Sequence, residues 1–228
     1  MGTSKGYIPP KNREWKTAKM SVSRMVNGNE RKEGVKKAVS EYAKAYSSTH
    51  LNSSKIGVVA GKALDFFLNA KTKGLNSALK EKGLDALIGK SNEEIYLGLI
   101  EYFCTDNSTI EESVLRECVV EVLSNNDVLD LEDLDRFDGN KFIEDFIIKY
   151  IQVNFEVAFF EKIQGLCGSI KEANLRIKEI NEYIDDSIRN LYEEEELLHI
   201  DWKGDEGVSF INEKCRKCYE LLMLFEEE

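Results

Sequence analysis

Two cysteines three residues apart, Cys215 and Cys218, have the spacing of half a structural zinc site or of a redox-active dithiol. A structural zinc needs four ligands, and the other cysteines, at positions 104, 118 and 167, stand alone within or beside helical patterns. Both thiols of the pair also fall on the apolar face of a predicted helix. We therefore expect them to pack in a core, and the sequence predicts neither a metal site nor a cofactor.

A phosphate-binding loop is the second chemistry that residue types suggest, because the segment from Gly57 to Ala63 reads GVVAGKA. It has three residues between its glycines where the motif needs four, and no Ser or Thr follows Lys62. The segment also lies inside a helical pattern, where its small residues would admit a close neighbouring helix. Helix packing is therefore the favoured interpretation.

The acidic segment from Asp127 to Gly139 raises the question of calcium binding. An EF-hand loop needs oxygen ligands at its first, third and fifth positions and glycine at its sixth. Placing Gly139 sixth puts Leu134 first and Arg136 third, so the match fails. We expect these acids to form a solvated connector and the negatively charged first turn of a helix that begins near Asn140.

Neither histidine, His50 or His199, lies in a recognisable catalytic motif. Carboxylates surround His199 in the sequence, but nothing places a serine or cysteine nucleophile beside it. A hydrolase that uses His199 or the cysteines is kept as an alternative. The favoured expectation is that the protein is not an enzyme and has no catalytic residue.

The first fourteen residues, MGTSKGYIPPKNRE, form a leader that differs in character from the rest of the chain. Pro9 and Pro10 are the only prolines of the whole chain, and they disfavour a helix before about Lys11. Residues 1–14 are therefore predicted to be a flexible leader and residues 15–228 a helical domain. Trp15 stands where the two meet, and we expect its ring to anchor the exit of the leader by being buried.

The second residue of the leader, Gly2, is small enough for Met1 to be removed by an aminopeptidase. Its α-amino group would then lie at the tip of a mobile tail. A myristoylation signal would need Ser or Thr where this chain has Gly6. Ordinary disorder of a chain terminus is the alternative interpretation of the leader.

The composition is that of a globular protein, because 42% of the 228 residues are hydrophobic and 32% are charged. A chain of this length can form one substantial core, so a single domain is expected. Its longest apolar stretch, Val58 to Ala70, is interrupted by Lys62 and Asp65, so no transmembrane helix is predicted. The five cysteines cannot all pair and no signal-peptide core is seen, which indicates the reducing cytoplasm.

Charge is divided unevenly along the sequence. Residues 1–82 carry 17 Lys and Arg against 6 Asp and Glu, whereas the remainder carries 14 against 36. Solvated and mutually complementary surfaces are the favoured interpretation, because the field of the acidic half would oppose a polyanion. The alternative function is a nucleic-acid-binding module. It would use the basic residues Lys16, Lys19, Arg24, Arg31, Lys32, Lys36 and Lys37.

Apolar residues recur at helical spacing after the leader, which predicts an all-α fold of about seven to nine helices with no β-sheet. Capping-box patterns at Ser91 to Glu94, Thr109 to Glu112 and Ser169 to Glu172 mark three helix starts. The segment from Asn140 to Ile163 is the most apolar and is expected in the core. The last two helices carry apolar seams, which predict a long antiparallel pair at the C-terminus.

Four stretches of the sequence carry a resemblance to a known family. They are MGTSKGY at the start, the block from Trp15 to Val26, VKKAVSEYAKAY from Val35 to Tyr46, and the run from Gly74 through LIGKSNEEIYLGLIEYFC to Cys104. Together they resemble QatB, a component of the bacterial Qat anti-phage defence system. None of these motifs is catalytic.

The resemblance implies an accessory protein that works beside an ATPase, a QueC-like enzyme and a TatD-like nuclease. QueC-like enzymes of defence operons are associated with attaching a deazaguanine-type base to the N-terminal glycine of a partner protein. The matching position here is Gly2, with Thr3 and Ser4 as adjoining recognition residues and Trp15 as a further position for partner recognition. The resemblance thus implies a protein substrate, and it adds neither a nucleic-acid nor a membrane partner.

Overall fold

The structure is a computed structural model that describes residues 9–28, 31–51, 55–104, 109–125, 134–190, 197, 199–202 and 204–224. Within these ranges the regular structure is nine α-helices and short 3-10 turns, and no strand occurs. The predicted all-α fold is confirmed. The helices are α1 (Arg13–Asn27), α2 (Arg31–Thr49), α3 (Ile56–Lys73), α4 (Leu75–Glu81), α5 (Asn92–Phe103), α6 (Ile110–Asn125), α7 (Gly139–Leu166), α8 (Ile170–Arg189) and α9 (Asp205–Leu224).

The helices form two compact units. The first unit contains α1, α2 and α8 together with the part of α7 from Ile151 onward and the part of α9 from Cys215 onward. The second unit contains α3, α4, α5 and α6 with the remaining parts of α7 and α9. Each unit is described below by itself.

In the first unit, α1 and α2 pack side by side along their lengths, and α2 also contacts α8. The sequence predicted the last helix as the partner of the apolar seam on α8. Among the described residues, α8 lies close to α2, and its Asn181 forms hydrogen bonds with Gln152 and Glu156 of α7. Seam residues Ile177, Ile180 and Ile184 are buried. A seam shows which face of a helix is covered, and long-range packing decides which helix covers it.

In the second unit, α3 is the central helix, because it contacts α4, α5, α6 and the 3-10 turn Leu134–Arg136. The segment GVVAGKA lies inside α3, where Gly57 and Gly61 face α9. A Cβ atom at Gly57 would lie 2.5 Å from the carbonyl oxygen of Val208, and one at Gly61 would lie 3.8 Å from Ile211. These glycines permit close helix packing, as the small-residue pattern predicted.

Local side-chain caps set several helix starts. Ser91 and Glu94 form a complete capping box at α5, and Thr109 and Glu112 exchange the same pair of bonds before α6. At α8, Ser169 caps the amide of Glu172 at 3.1 Å, but the Glu172 carboxylate accepts from Gly168 instead of completing the box. The predicted helix starts are confirmed at all three positions.

Helix α7 is the core helix that its composition predicted. The first of its buried hydrophobic side chains is Phe142 and the last is Ile163. Its first turn contains no acidic residue, contrary to expectation. Asp138 instead lies just before the helix, where its carboxylate accepts from the amides of Asn140 at 3.0 Å and Lys141 at 3.2 Å.

Candidate functional site

The leader joins the first unit at a short non-helical segment, Pro9 to Asn12. Pro9 is buried, Pro10 is half-buried and Lys11 is exposed. Asn12 has extended backbone angles of φ −69° and ψ 177°, and its side-chain oxygen accepts from the amide of Trp15 at 3.0 Å. Because an extended N-cap followed by a capped amide fixes a helix start, α1 begins at Arg13, close to the limit set by the two prolines.

Trp15 anchors this segment from inside the first unit. Its side chain is fully buried, and its indole Nε1 donates to Oγ1 of Thr49 at 3.0 Å. The Thr49 hydroxyl donates to the carbonyl of Ala45 at 2.9 Å and also lies 2.6 Å from Nδ1 of His50. The one polar atom of the indole is thus satisfied, so the ring is buried without an unpaired donor.

Aromatic rings surround the anchor. Trp15 meets Tyr42 edge to face at 6.2 Å, and Phe159 lies 6.0 Å from it. Tyr46 stacks on Tyr219 with ring centroids 5.0 Å apart, and the hydroxyl groups of Tyr42 and Tyr219 are 3.3 Å apart. We call this set the aromatic cluster. It joins α1 and α2 to parts of α7 and α9 within the first unit, so the exit of the leader is attached to a rigid core.

The predicted site residues fall in two groups. Gly2, Thr3 and Ser4 lie outside the described residues. Trp15 lies in the core with no exposed surface, so in this conformation its side chain offers a partner no contact. Any role of Trp15 in recognition is therefore indirect. It acts through the position of Pro9, where the leader joins the first unit. Sequence reasoning predicted the burial but missed Thr49, although a tryptophan expected to be buried requires a nearby acceptor.

Among the residues that the structure describes, the side chains considered for catalysis lie in different surroundings. His199 lies in an exposed turn, whereas Cys215 and Cys218 are buried on α9, as their apolar positions predicted. Burial raises the pKa of Cys104 to about 11 and that of Cys118 well above its usual value, so both remain thiols at neutral pH. No group of three metal-ligating side chains was found among the residues that the structure describes.

An open groove of about 770 Å³ runs between α7 and α8 in the first unit. Gln152, Glu156 and Asn181 line its polar part, and Phe160 and Ile177 line its apolar part. The Asn181 amide donates to Glu156 at 2.7 Å, and its backbone carbonyl accepts from Gln152 at 2.9 Å. These groups can hold the two helices in register. The described lining also includes Lys178 and the acidic residues Glu182, Asp185 and Asp186.

A buried ion pair in the second unit escaped the sequence analysis. Asp65 on α3 is only 8% exposed, and Lys82 donates to its carboxylate. The amide of Asn69 donates to the other oxygen of Asp65 at 3.1 Å. The sequence signal for this ion pair was that Asp65 interrupts an apolar stretch. With both oxygens bonded, the carboxylate is a structural link between α3 and the end of α4.

The basic residues of the alternative nucleic-acid module lie on α1 and α2. Lys16 and Arg24 are exposed and Lys19 is half-exposed on α1, while Lys32 and Lys37 are exposed and Lys36 is half-exposed on α2. The side chain of Arg31 lies outside the described part of the chain. The one aromatic residue of α1, Trp15, is buried and cannot stack on a base.

The helices and the comparisons with known proteins both bear on the class of this protein. No described helix is both long and apolar enough to cross a membrane. Neither the curated proteins nor the solved structures gave a match to the chain. The fold and the leader anchor therefore define a helical protein without a recognised catalytic centre in the part that is described.

A family model does match the chain. It is described as "Qat anti-phage system associated protein QatB", and it covers residues 45–222, more than half of the sequence. The chain belongs to the QatB family and is thus a component of an anti-phage defence system. The match begins after the leader and α1, and it includes residues of both compact units.

Proposed function

We propose that this QatB-family protein is a protein substrate and binding partner of a QueC-like enzyme, which attaches a deazaguanine-type base to its N-terminal glycine. Removal of Met1 would free the α-amino group of Gly2, and Thr3 and Ser4 would contribute to recognition. In this proposal the protein is a non-enzymatic accessory component in the cytoplasm. The system ATPase and TatD-like nuclease are further candidate partners.

The observation that supports the proposal most is the anchor at the leader exit. Pro9 is buried, and α1 begins only at Arg13. The N-terminal segment therefore joins the first unit at a fixed point without continuing α1 toward the N-terminus. An amine built into the first turn of a helix would be less accessible to another enzyme's active site.

The chemistry of the amine also supports the proposal. An α-amino group has a pKa of about 7.7–8.0, so a useful fraction is unprotonated and nucleophilic at neutral pH, unlike a lysine side chain. An enzyme that selects the N-terminal amine would gain selectivity from this difference. Residues Thr3 and Ser4 add hydroxyl groups next to the reacting glycine.

Substitution of Gly2 tests the proposed site. Gly2→Leu is expected to retain Met1 and to abolish the adduct during co-expression with the QueC-like enzyme, while far-ultraviolet circular dichroism stays unchanged. Gly6→Ala is the matched control, because it alters the other leader glycine and leaves the N-terminal amine available. Tandem mass spectrometry of the N-terminal peptide reads out both variants. An adduct on the Gly2→Leu protein, or on a lysine of the wild-type leader, would contradict the assignment.

A further inference from the structure

The outer face of α1 carries a line of cations next to the leader exit. Arg13, Lys16 and Arg24 are exposed on this face, and Met20, which is 52% exposed, lies between them. Their spacing of three, four and four residues places them along one side of the helix. We call these four residues the α1 face. From Arg13 to Arg24 it extends about 16 Å along the helix axis.

The cations of the α1 face are not neutralised by the described part of the chain. Arg13, Lys16 and Arg24 make no ion pair with any residue within it. On α8, by contrast, Arg176, Lys178 and Arg189 each pair with an acid three or four positions away on the same helix. The protein has a net charge of −11, so acids are abundant elsewhere in the chain.

The positions of two of these charges are also locally unfavourable, whereas Arg24 lies in the last turn of α1, where the helix dipole favours a cation. Arg13 and Lys16 lie in and next to the first turn of α1, where the positive end of the helix dipole disfavours cations. They are three positions apart, so they repel each other as well. Neither the helix dipole nor a paired acid stabilises Arg13 and Lys16. A partner that presents carboxylates would stabilise them.

We propose that the α1 face docks an acidic protein surface, namely that of the enzyme which modifies the leader. This rests on the proposed function for the identity of the partner. The complementary surface would present carboxylates to Arg13, Lys16 and Arg24 and an apolar contact to Met20, a residue type enriched in interfaces. Docking here would hold the enzyme beside Pro9, where the leader departs.

Three observations favour a protein over a nucleic acid on this face. Trp15 is buried, so α1 offers no ring on which a base can stack. The chain as a whole is strongly acidic, and its field opposes a polyanion more than it opposes a localised cluster of carboxylates. Met20 at the centre of the face adds an apolar contact that a phosphate backbone would not use.

Charge reversal on the α1 face tests the proposal. The double variant Lys16→Glu with Arg24→Glu is compared with Lys80→Glu with Lys171→Glu, which changes the net charge equally at exposed lysines that also lack ion pairs among the described residues. Binding of the full-length proteins to the QueC-like enzyme is measured calorimetrically at about 50 and about 300 mM salt. Modification is followed as a function of substrate concentration.

The α1 variant is expected to bind at least about tenfold more weakly than wild type, with a raised KM and a nearly unchanged kcat, because the leader itself is intact. The control variant should stay within about twofold of wild type. Met20→Ser should weaken binding without changing its salt dependence. Thermal melts check that each variant is folded. We expect this result because all of the substituted side chains are exposed.

Different results separate the two proposals. If the α1 variant loses affinity but no adduct ever forms on wild type, the docking surface stands and the glycine modification fails. If the adduct forms and the α1 variant binds as wild type does, the docking surface is wrong. It is also wrong if wild type does not bind the enzyme, or if the α1 charges instead support salt-sensitive binding of a single-stranded oligonucleotide of about 30 nucleotides.

Discussion

At the scale of single residues, Trp15 links the leader to the core of the first unit. We predict that Trp15→Ala lowers the free energy of unfolding by about 3–5 kcal/mol, because it empties a fully enclosed site within the aromatic cluster. Met20→Ala on the exposed side of the same helix should change it by no more than about 0.5 kcal/mol. Urea denaturation measures both. Equal stabilities would show that Trp15 is not part of a packed core.

Gly57 is the second residue with a sharp requirement. Gly57→Ala should cost about 1–3 kcal/mol, since its new methyl group would meet the backbone oxygen of Val208 at 2.5 Å and force α3 and α9 apart. Gly165→Ala, on α7, has nothing within 4 Å of the added carbon and should stabilise the protein by about 0.5–1 kcal/mol. Opposite signs in the two melting-temperature shifts are expected. A Gly57→Ala protein as stable as wild type would contradict the close approach.

These residues also show how far sequence reasoning reaches. The burial of Trp15 followed from its type and its place at the start of an amphipathic helix. Its acceptor, Thr49, lies 34 positions away, and no local pattern joins them. Gly57 was recognised as a packing residue because small residues recur on one face of α3. That Val208 is the neighbour depends on the path of the whole chain.

At the scale of elements, the start of α6 is a pH-sensitive link to α3. Glu112 caps α6 through Thr109 and also bonds Lys55, the N-cap residue of α3, at 2.6 Å. The bond from Lys55 is the main cause that holds the pKa of this carboxyl below its usual 4.5, and Thr109 adds to it. The link between the two helix starts is therefore present at neutral pH.

The sign of the pH effect follows from the lowered pKa of Glu112. Its stabilisation is complete above the unfolded pKa and is lost as pH falls through the lower folded pKa. Glu112→Gln should therefore lower the free energy of unfolding at pH 7. It should also reduce the amount of stability that is lost between about pH 5 and about pH 3. Glu101→Gln, at an exposed position of α5, is the control. Identical pH profiles for Glu112→Gln and wild type, from urea melts, would contradict this role.

Helix starts were the most predictable elements, because a cap depends on residues within a few positions of each other. The boundaries of α5, α6 and α8 were read from Ser91, Thr109 and Ser169 for this reason. The neighbours of α8 could not be read from its seam, because a seam specifies a buried face and not the helices that cover it. The groove between α7 and α8 was not foreseen either, because it exists only where two distant faces meet.

At the scale of the whole molecule, membership of the QatB family places the protein in an anti-phage system. We predict that His199→Ala leaves defence activity unchanged, because His199 lies in an exposed turn and no catalytic motif surrounds it in the sequence. Plaque counts on cells that carry the complete operon measure this. Loss of protection with normal protein levels would restore the hydrolase alternative.

The central claim is that Gly2 is the functional site, and intact-mass spectrometry of the protein purified from cells that express its operon neighbours tests it most directly. The mass should exceed that of the Met-cleaved chain by one deazaguanine-type group, and an extra residue placed before Gly2 should abolish the increase without changing helicity. The contradicting result is the unmodified mass of the Met-cleaved chain, obtained while the QueC-like enzyme is active on its small-molecule precursor.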